Sequence, residues 1–568
     1  MRLVTYESPF GDVIALLEEV TLFAALPASW LAELARGART RVVAAGEWLF
    51  HQGEQADALY VVRSGRLEVV VETPPPARTV QVVGRGAILG ELALVTDATR
   101  SASVRAHRDS ELVTVTRAGF ADLVEGDAKF AMALIRLLGE KLQLTEGLSQ
   151  VRTVPPTVVV LVAAGTSHLA EVRSGIVGTL SSMMQTAALE DPGGDDTTRA
   201  RALDEAERRN DLVLLTVADP AGAWGWFCVR QADRAAVVVD AGRHAATPQW
   251  PTATALIDLV TIGPAHAREI ALWEQTMPCR ARHVVDLGAG FNEGIARLAR
   301  RLVGRSPGVV LSGGGARAFA HIGVLEVLTD AGVIVDRVGG CSMGAFIGAL
   351  FASGCRPGEI REICQRELVI HNPFRDLTVP RVALIKGRNA RSMLARTFAG
   401  RNIEELALDF FCVSADLVTT DVVVHRQGLV ANAVAASMSM PGIAPPIADK
   451  GRLLIDGGVL DNLPVDVMAA TNEGPVIAVD VMGRGRDARF AAVPSSSQRL
   501  PGIVDTLARA TVLGSWRFAA ANRHLASAII TPRVDDIALL DFSQLDHAIE
   551  QGRRAAHTAL DARTFLHH

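Results

Sequence analysis

At 568 residues the chain is too long for one hydrophobic core and calls for roughly three or four domains. Hydrophobic residues make up 49% and charged residues 21%, which excludes a disordered chain. The net charge of −5 gives no electrostatic basis for nucleic-acid binding.

The stretch from Met1 to Val20 carries Glu7, Asp12, Glu18 and Glu19 and lacks a basic start followed by an apolar core, so no secretory leader is expected. Short alternating runs follow at 40–44, 58–62, 66–72 and 79–83, separated by Gly53, Gly65 and Gly84. This alternation predicts a small antiparallel β-roll within residues 1–150, flanked by helical patterns at 26–35 and 117–148. In the stretch 90–104, Gly90 and Glu91 open a helical turn with free N–H groups, and Arg100 follows shortly after. Such a set suits a ribose phosphate, with the glutamate on a ribose hydroxyl and the arginine on the phosphate. The competing reading is a surface ion pair. The 127–148 helix is apolar at Phe130, Leu134, Leu137, Leu138 and Leu142. That stripe either packs on the roll or forms the seam of a homodimer.

Val151 to Pro156 reads as a linker, because two prolines end the preceding helix. Residues 151–305 then alternate strand-like runs, at 157–162, 212–217, 235–239, 255–262 and 283–287, with helical stretches. The pattern predicts a Rossmann-like α/β domain with a mostly parallel sheet. No phosphate-binding G-x-x-x-x-G-K-[ST] loop is present, so nothing supports ATP hydrolysis. His283 to Gly290, reading HVVDLGAG, resembles the glycine loop of S-adenosylmethionine methyltransferases. The next strand, however, ends in SGGGAR instead of an acidic residue that could grip a ribose, so a structural βα turn is expected.

Two strand–glycine–helix units then follow in quick succession. The first carries Gly313, Gly314, Gly315, Ala316 and Arg317 at a helix start, where free N–H groups and the helix dipole suit an oxyanion. The second is G-x-S-x-G, from Gly340 to Gly344, which forces Ser342 onto a tight turn with its hydroxyl exposed. One such motif is weak on its own. A serine turn beside an N–H-rich loop points to acyl transfer and ester hydrolysis. Downstream, Asp456 ends an apolar run before Gly457 and Gly458 and is the candidate general base. The alternative there is a plain D-G turn. His321 lies inside the first helix, and His524, His547 and His557 lie in a polar C-terminal stretch, so no histidine shares a comparable motif. The apolar run from Ala345 to Phe351 either walls an acyl pocket or is ordinary core.

SGGGAR, GCSMG, ASMSMPGIAPP and DGGVLDNLP together resemble the patatin-like phospholipases, over roughly residues 306–535. The resemblance implies an α/β hydrolase domain across 306–568, a Ser–Asp dyad of Ser342 and Asp456, and no histidine. It also implies an oxyanion loop of Gly313, Gly314 and Gly315 with Arg317 beside it, and no metal or obligatory cofactor. Ala318 and Ser312 stand where the family often has glycine, outside the expected donors. The N-terminal block, with GELAL followed by RSAS, resembles the cyclic nucleotide-binding domain. By that resemblance Gly90, Glu91, Leu92, Arg100 and Ser101, with Ser103 added, would contact cyclic AMP or cyclic GMP. Thr99 and Leu89 replace a common proline and phenylalanine.

The order of nucleotide module, α/β segment and patatin domain resembles the neuropathy target esterase family. This implies phospholipid or lysophospholipid as substrate at a cytoplasmic membrane face. Eukaryotic members carry an anchor and several nucleotide modules, whereas this chain has one module and no apolar stretch of about 18 residues. A cytoplasmic protein in peripheral contact with the inner membrane face is expected, held by exposed apolar side chains in a manner that survives high salt. A basic patch around Arg391 and Arg396 would instead make binding salt-sensitive. The six cysteines form no C-x-x-C pair, as expected of reduced cytosolic thiols. Two further readings remain open: a hydrolase whose N-terminal module serves only assembly, and a catalytically silent scaffold.

Overall fold

The computed structural model describes residues 5–562, apart from 8–9, 25, 74–76, 97, 146–154, 244–255, 265–266, 278, 380, 484–505, 508–512, 516–517 and 520. The chain resolves into two compact units. One comprises Met1–Gly263, Trp273–Ala281 and Val285–Leu302, and the other Pro264–Leu272, Arg282–Val284 and Val303–His568.

The first unit begins with the antiparallel roll. Its strands include β1 (Arg39–Val43), β2 (Ala58–Val71), β3 (Arg78–Val83) and, after the short helix α1 (Glu91–Val95), β4 (Ser103–Thr116). β4 pairs with β1 and with β2, and β2 pairs with β3. The sequence splits β2 into two strands at Gly65, but the structure runs one strand through it. Gly65 sits at φ +91 in a bulge where the register against β4 shifts, so the glycine bends the strand without ending it. Leu59, Val61, Val113 and Leu112 are fully buried. The helix α2 (Ala128–Thr145) buries Phe130 and Leu134 against the roll's helical flank, with Leu137 and Leu138 packed beside them. The apolar stripe is thus an internal packing surface over this length. The side chain of Leu142 lies outside the described residues, as does most of the expected linker.

The same unit holds a parallel sheet of β5 (Val158–Ala163), β6 (Thr186–Leu189), β7 (Leu212–Val217), β8 (Arg234–Asp240) and β9 (Leu256–Ile262), in the order β9-β8-β5-β7-β6. Near-continuous apolar runs such as VVVLV are what a sheet covered on both faces requires. The 283–290 segment is a strand, Ala281–Val285, turning into the helix Phe291–Leu302, the plain βα unit expected. Roll and sheet are tied by buried charge. Asp233 lies 3.3 Å from Arg66 of β2 and 3.6 Å from Arg108 of β4, while Arg108 reaches Glu207 at 2.6 Å. Burial would raise the Asp233 carboxyl, but Arg108 and Arg66 hold it down at about 2. Removing one partner from such a cluster leaves an uncompensated buried charge, which costs about 3–5 kcal/mol.

The second unit is built on an eight-stranded mixed sheet. Its strands are β10 (Gly308–Leu311), β11 (Arg337–Cys341), β12 (Asp409–Asp416), β13 (Val422–His425), β14 (Ile447–Asp449), β15 (Arg452–Asp456), β16 (Val476–Val479) and β17 (Ala528–Ile530). The order is β14-β15-β12-β11-β10-β16-β17, with β13 also on β12. The run from β12 to β17 is parallel, and β15 and β13 join β12 antiparallel. Helices α3 (Ala320–Asp330), α4 (Met343–Ala352), α5 (Arg388–Phe398), α6 (Val430–Ser437) and α7 (Leu545–Asp561) contribute to its main core. Ala345, Phe346, Ile347 and Ala349 of α4 are fully buried there, so this run is core. Among the described residues no helix is long and apolar enough to cross a membrane, and no cluster of potential metal ligands occurs. All six cysteines are free.

Candidate active site

Parallel β11 delivers the chain to Ser342, and α4 carries it away. Ser342 takes φ 52 and ψ −125, a left-handed conformation unusual outside glycine. The turn is possible because Gly344 lies against β10, where a Cβ would come within 2.4 Å of the Leu311 carbonyl oxygen. Held this way, Ser342 Oγ donates to Asp456 Oδ2 at 2.7 Å. Asp456 is the last residue of β15, registered opposite Ser414 of β12. Its other oxygen accepts from the Gly458 N–H at 2.8 Å and faces the Cys341 thiol at 3.8 Å. The residue is 2% exposed. Burial pushes its carboxyl up to about 6, while hydrogen bonds from Ser342, Gly458 and Cys341 restrain the rise.

The glycine loop sits beside the serine. An added Cβ at Gly313 would come within 3.1 Å of Ser342 Cβ. Gly315 takes φ +54 with its α-carbon pressed toward Leu539, leaving 2.0 Å between an added Cβ and that carbonyl oxygen. The N–H groups of Gly314 and Gly315 find no acceptor among the described residues. They are the donors this loop offers. Gly313 is not one of them, because its N–H is bonded to the Asn462 carbonyl at 3.1 Å. Arg317 also departs from expectation. Its guanidinium donates to the carbonyls of Ile537 at 2.8 Å and Asp535 at 3.2 Å, so it anchors the C-terminal segment beneath the loop.

Residues that the sequence placed within its motifs but gave no role complete the frame. Asn462 donates from Nδ2 to the Gly313 carbonyl at 3.1 Å. Ser437 Oγ accepts the Ser342 N–H at 2.9 Å, and the Ser439 carbonyl accepts the Asp456 N–H at 2.9 Å. His321 is fully buried and bonds the Ser312 carbonyl through Nε2 at 2.8 Å. Burial lowers its pKa to about 4, so the ring is neutral and structural. His524 bonds the Ala521 carbonyl, and His547 pairs with Asp536. Neither histidine bonds Ser342 or Asp456. Beside Ser439 lies a narrow apolar cleft with only about 30 Å³ of water-accessible space, lined by Phe374, Ile385, Met393, Leu394, Met438 and Pro445 among others. None of Ala345 to Phe351 lines it.

In the roll, Arg100 is 3% exposed and gathers the cassette around itself. It donates to the Gly90 carbonyl at 3.1 Å, the Ala58 carbonyl at 2.9 Å and Asp57 at 3.1 Å, with its guanidinium carbon 4.1 Å from the Phe50 ring centre. Its buried Nε has no hydrogen-bond partner. An orphaned cationic donor of this kind fits an anionic oxygen such as a cyclic phosphate. Glu91 is buried and opens α1, while Leu92 and Ser101 are exposed. Ser103 does not join them. Its hydroxyl donates to Glu72 at 2.6 Å and accepts from the Gln52 N–H at 2.7 Å.

The comparisons with known proteins agree with this layout. Residues 309–469 match the model of the patatin-like phospholipase family, and residues 40–127 match that of the cyclic nucleotide-binding domain. An uncharacterized NTE family protein of Mycobacterium tuberculosis is 34% identical, with 98% of this chain and 97% of the relative aligned. Lysophospholipase nte1 of Neosartorya fischeri is 28% identical over 77% of this chain, and that of Aspergillus terreus is 27% identical over 90%. The chain spans only 35% and 41% of those fungal proteins. Near full-length identity to the mycobacterial relative, together with a patatin-like domain and a nucleotide-type roll, places the chain in the NTE family, with the makeup of a lipid esterase.

Proposed function

We propose that this enzyme hydrolyses the carboxylic ester of a phospholipid or lysophospholipid, with Ser342 as nucleophile and Asp456 as general base. The observation that carries the reading is the 2.7 Å bond from Ser342 Oγ to Asp456 Oδ2, beside two unbonded glycine N–H groups. A carboxylate at the usual value near 4 is a poor base for a hydroxyl. Burial that lifts Asp456 to about 6 narrows that gap yet leaves it ionised at neutral pH.

Asp456 takes the Ser342 proton as Oγ attacks the ester carbonyl. The carbonyl oxygen becomes an oxyanion within reach of the Gly314 and Gly315 N–H groups, each such donor worth about 3–4 kcal/mol in the transition state. Collapse expels the lysolipid or glycerophospho alcohol, which leaves with the proton from Asp456. Water, deprotonated by the same carboxylate, then releases the fatty acid and restores Ser342. The lysophospholipase names of the fungal relatives support a single-chain lipid as substrate.

The roll is read as a regulatory module for a cyclic nucleotide, held by Glu91, Arg100 and Ser101; support comes from the domain match and the orphaned Arg100 Nε. The enzyme is read as cytoplasmic, acting at the inner membrane face. The direct test is Ser342→Ala. The expected result is loss of lysophosphatidylcholine and p-nitrophenyl ester turnover with an unchanged melting temperature; turnover comparable to wild type would remove Ser342 from the mechanism.

A further inference from the structure

Between the short helix Pro373–Arg375 and α5, the chain makes an excursion that is closed at its base. Leu377 and Ile385 form an antiparallel bridge, and the Lys386 N–H bonds the Asp376 carbonyl at 2.8 Å. The inner side is fixed to the body of the unit: Leu384 and Ile385 donate to the carbonyls of Gly442 and Ile443, each at 3.0 Å. The outer side is apolar and uncovered. Leu377 is 71% exposed, Val379 76% and Val382 71%. Such a cluster of bare aliphatic side chains on one loop marks an interaction surface, since isolated exposed residues would not share an element.

The charge around it is one-sided. Arg375, Arg381, Lys386, Arg388 and Arg391 are all exposed, and none of the five pairs with a carboxylate among the described residues. Asp376, the acid among them, is turned to the N–H groups of Arg388 and Asn389. This stands in a chain whose net charge is −5. Aliphatic tips ringed by free cations complement a surface that is apolar inside and anionic outside, which is an acidic lipid bilayer. A protein partner would present carboxylates or an apolar groove, not both layers in that order.

The loop also borders a residue that touches the proposed base. Ile385 and Gly387 line the same cleft as Met438 and Ser439, and the Ser439 carbonyl holds the Asp456 N–H. We propose that the Asp376–Lys386 loop is the bilayer-docking element, with Leu377, Val379 and Val382 entering the headgroup–acyl boundary and the five basic side chains meeting lipid phosphates. Docked this way, the loop brings the apolar lining around Ser439, and with it the neighbouring Asp456, to the bilayer surface where a lipid ester is presented. This last step rests on the lipid-hydrolase reading; the docking itself does not. Salt weakens such binding without abolishing it, because the apolar and ionic contributions act together.

The test is co-sedimentation of the full chain, carrying Ser342→Ala to stop turnover, with vesicles of phosphatidylcholine mixed with phosphatidylglycerol. Leu377→Ser/Val379→Ser/Val382→Ser is expected to weaken binding at least about tenfold, and Arg381→Glu/Lys386→Glu to weaken it on acidic vesicles. On the Ser342 background, the triple variant should lose turnover of vesicle-borne ester and keep that of soluble p-nitrophenyl butyrate, whose site it does not line. Wild-type-like vesicle binding by the triple variant would overturn the assignment. So would failure of the parent to bind vesicles, including the case where the triple variant instead converts a dimer to a monomer in sedimentation velocity. Loss of soluble-ester turnover would equally overturn it, showing that the loop shapes the site. Loop-dependent vesicle binding by a protein whose wild type hydrolyses no ester would leave docking standing and remove the hydrolase reading.

Discussion

Asn462 clasps Gly313 from both sides: its carbonyl accepts the Gly313 N–H at 3.1 Å, and its side-chain amide donates to the Gly313 carbonyl at 3.1 Å. Asn462 lies six residues beyond the proposed base, Asp456, so one segment carries the base and sets the oxyanion loop. Asn462→Ala keeps the backbone half of the clasp and loses the side-chain half. Its expected effect is a fall in kcat of about a hundredfold, the scale of a misplaced oxyanion donor, with KM little changed. Kinetics on a soluble ester, with the melting temperature as control, measure this. A fall in KM affinity alone would assign Asn462 to substrate binding.

The pH profile should report Asp456. The base works only when ionised, so kcat/KM should fall about tenfold per pH unit below a midpoint set by the Asp456 value of about 6. Stability runs the other way. With its pKa raised on folding, the native state binds more protons than the unfolded chain from about 4 up to about 6, so stability is full below that window and is lost as pH rises through it. Asp456→Asn never ionises. It should be inactive, yet melt higher than wild type at neutral pH, and scanning calorimetry of both proteins across that range checks the sign.

How much of this was legible depends on what kind of signal each residue carries. Ser342 stands out in the sequence because its glycine-flanked turn lies close to a second glycine loop at a helix start, and Asp456 because it precedes two glycines downstream of that pair, although each motif alone also fits a plain turn. The glycine loop was legible as a unit but not donor by donor. Whether Gly313 gives its N–H to an oxyanion or to Asn462 depends on a residue more than a hundred positions away. Family resemblance sets Arg317 beside the hole, and only the fold reveals the Asp535 and Ile537 carbonyls that occupy it. Ser103 enters as a nucleotide contact by resemblance too, whereas Glu72, just beyond the end of β2, already takes its hydroxyl. Gly65 read as a turn because local glycine signals do not separate a bulge from a strand end. The exposed loop at Leu377 carried no periodic signal at all.

The histidines provide a negative control on the dyad. His524→Ala, His547→Ala and His557→Ala should each leave kcat within about twofold of wild type, because these side chains are exposed and the first two are bonded elsewhere. His321→Ala is different in kind. It removes the ring that holds the Ser312 carbonyl, so it should lower the melting temperature while leaving the pH profile's acid limb in place. A single histidine variant that abolished turnover without loss of folding would replace the dyad with a Ser–His–Asp arrangement.

The nucleotide module gives the last prediction. Arg100 is both the proposed phosphate ligand and a structural tie among Gly90, Ala58 and Asp57. Removing it therefore does two things, and the variants must separate them. Arg100→Ala leaves two buried carbonyls without charged donors, a cost of about 1–3 kcal/mol in the roll. Arg100→Lys keeps a cation but not the planar fork that can serve carbonyls and phosphate at once. In wild type, a cyclic nucleotide that binds only the folded roll should raise its melting temperature with concentration, by mass action. The expected result is a rise with cyclic AMP or cyclic GMP in wild type, none in either Arg100 variant, and unchanged basal turnover of soluble ester in Arg100→Lys. Any effect of nucleotide on turnover must then come from unequal affinity for two states of the protein, and should vanish in both variants. A dose response that persists in Arg100→Lys would place the nucleotide outside this cassette, and a flat response in wild type would leave the roll as an element of assembly.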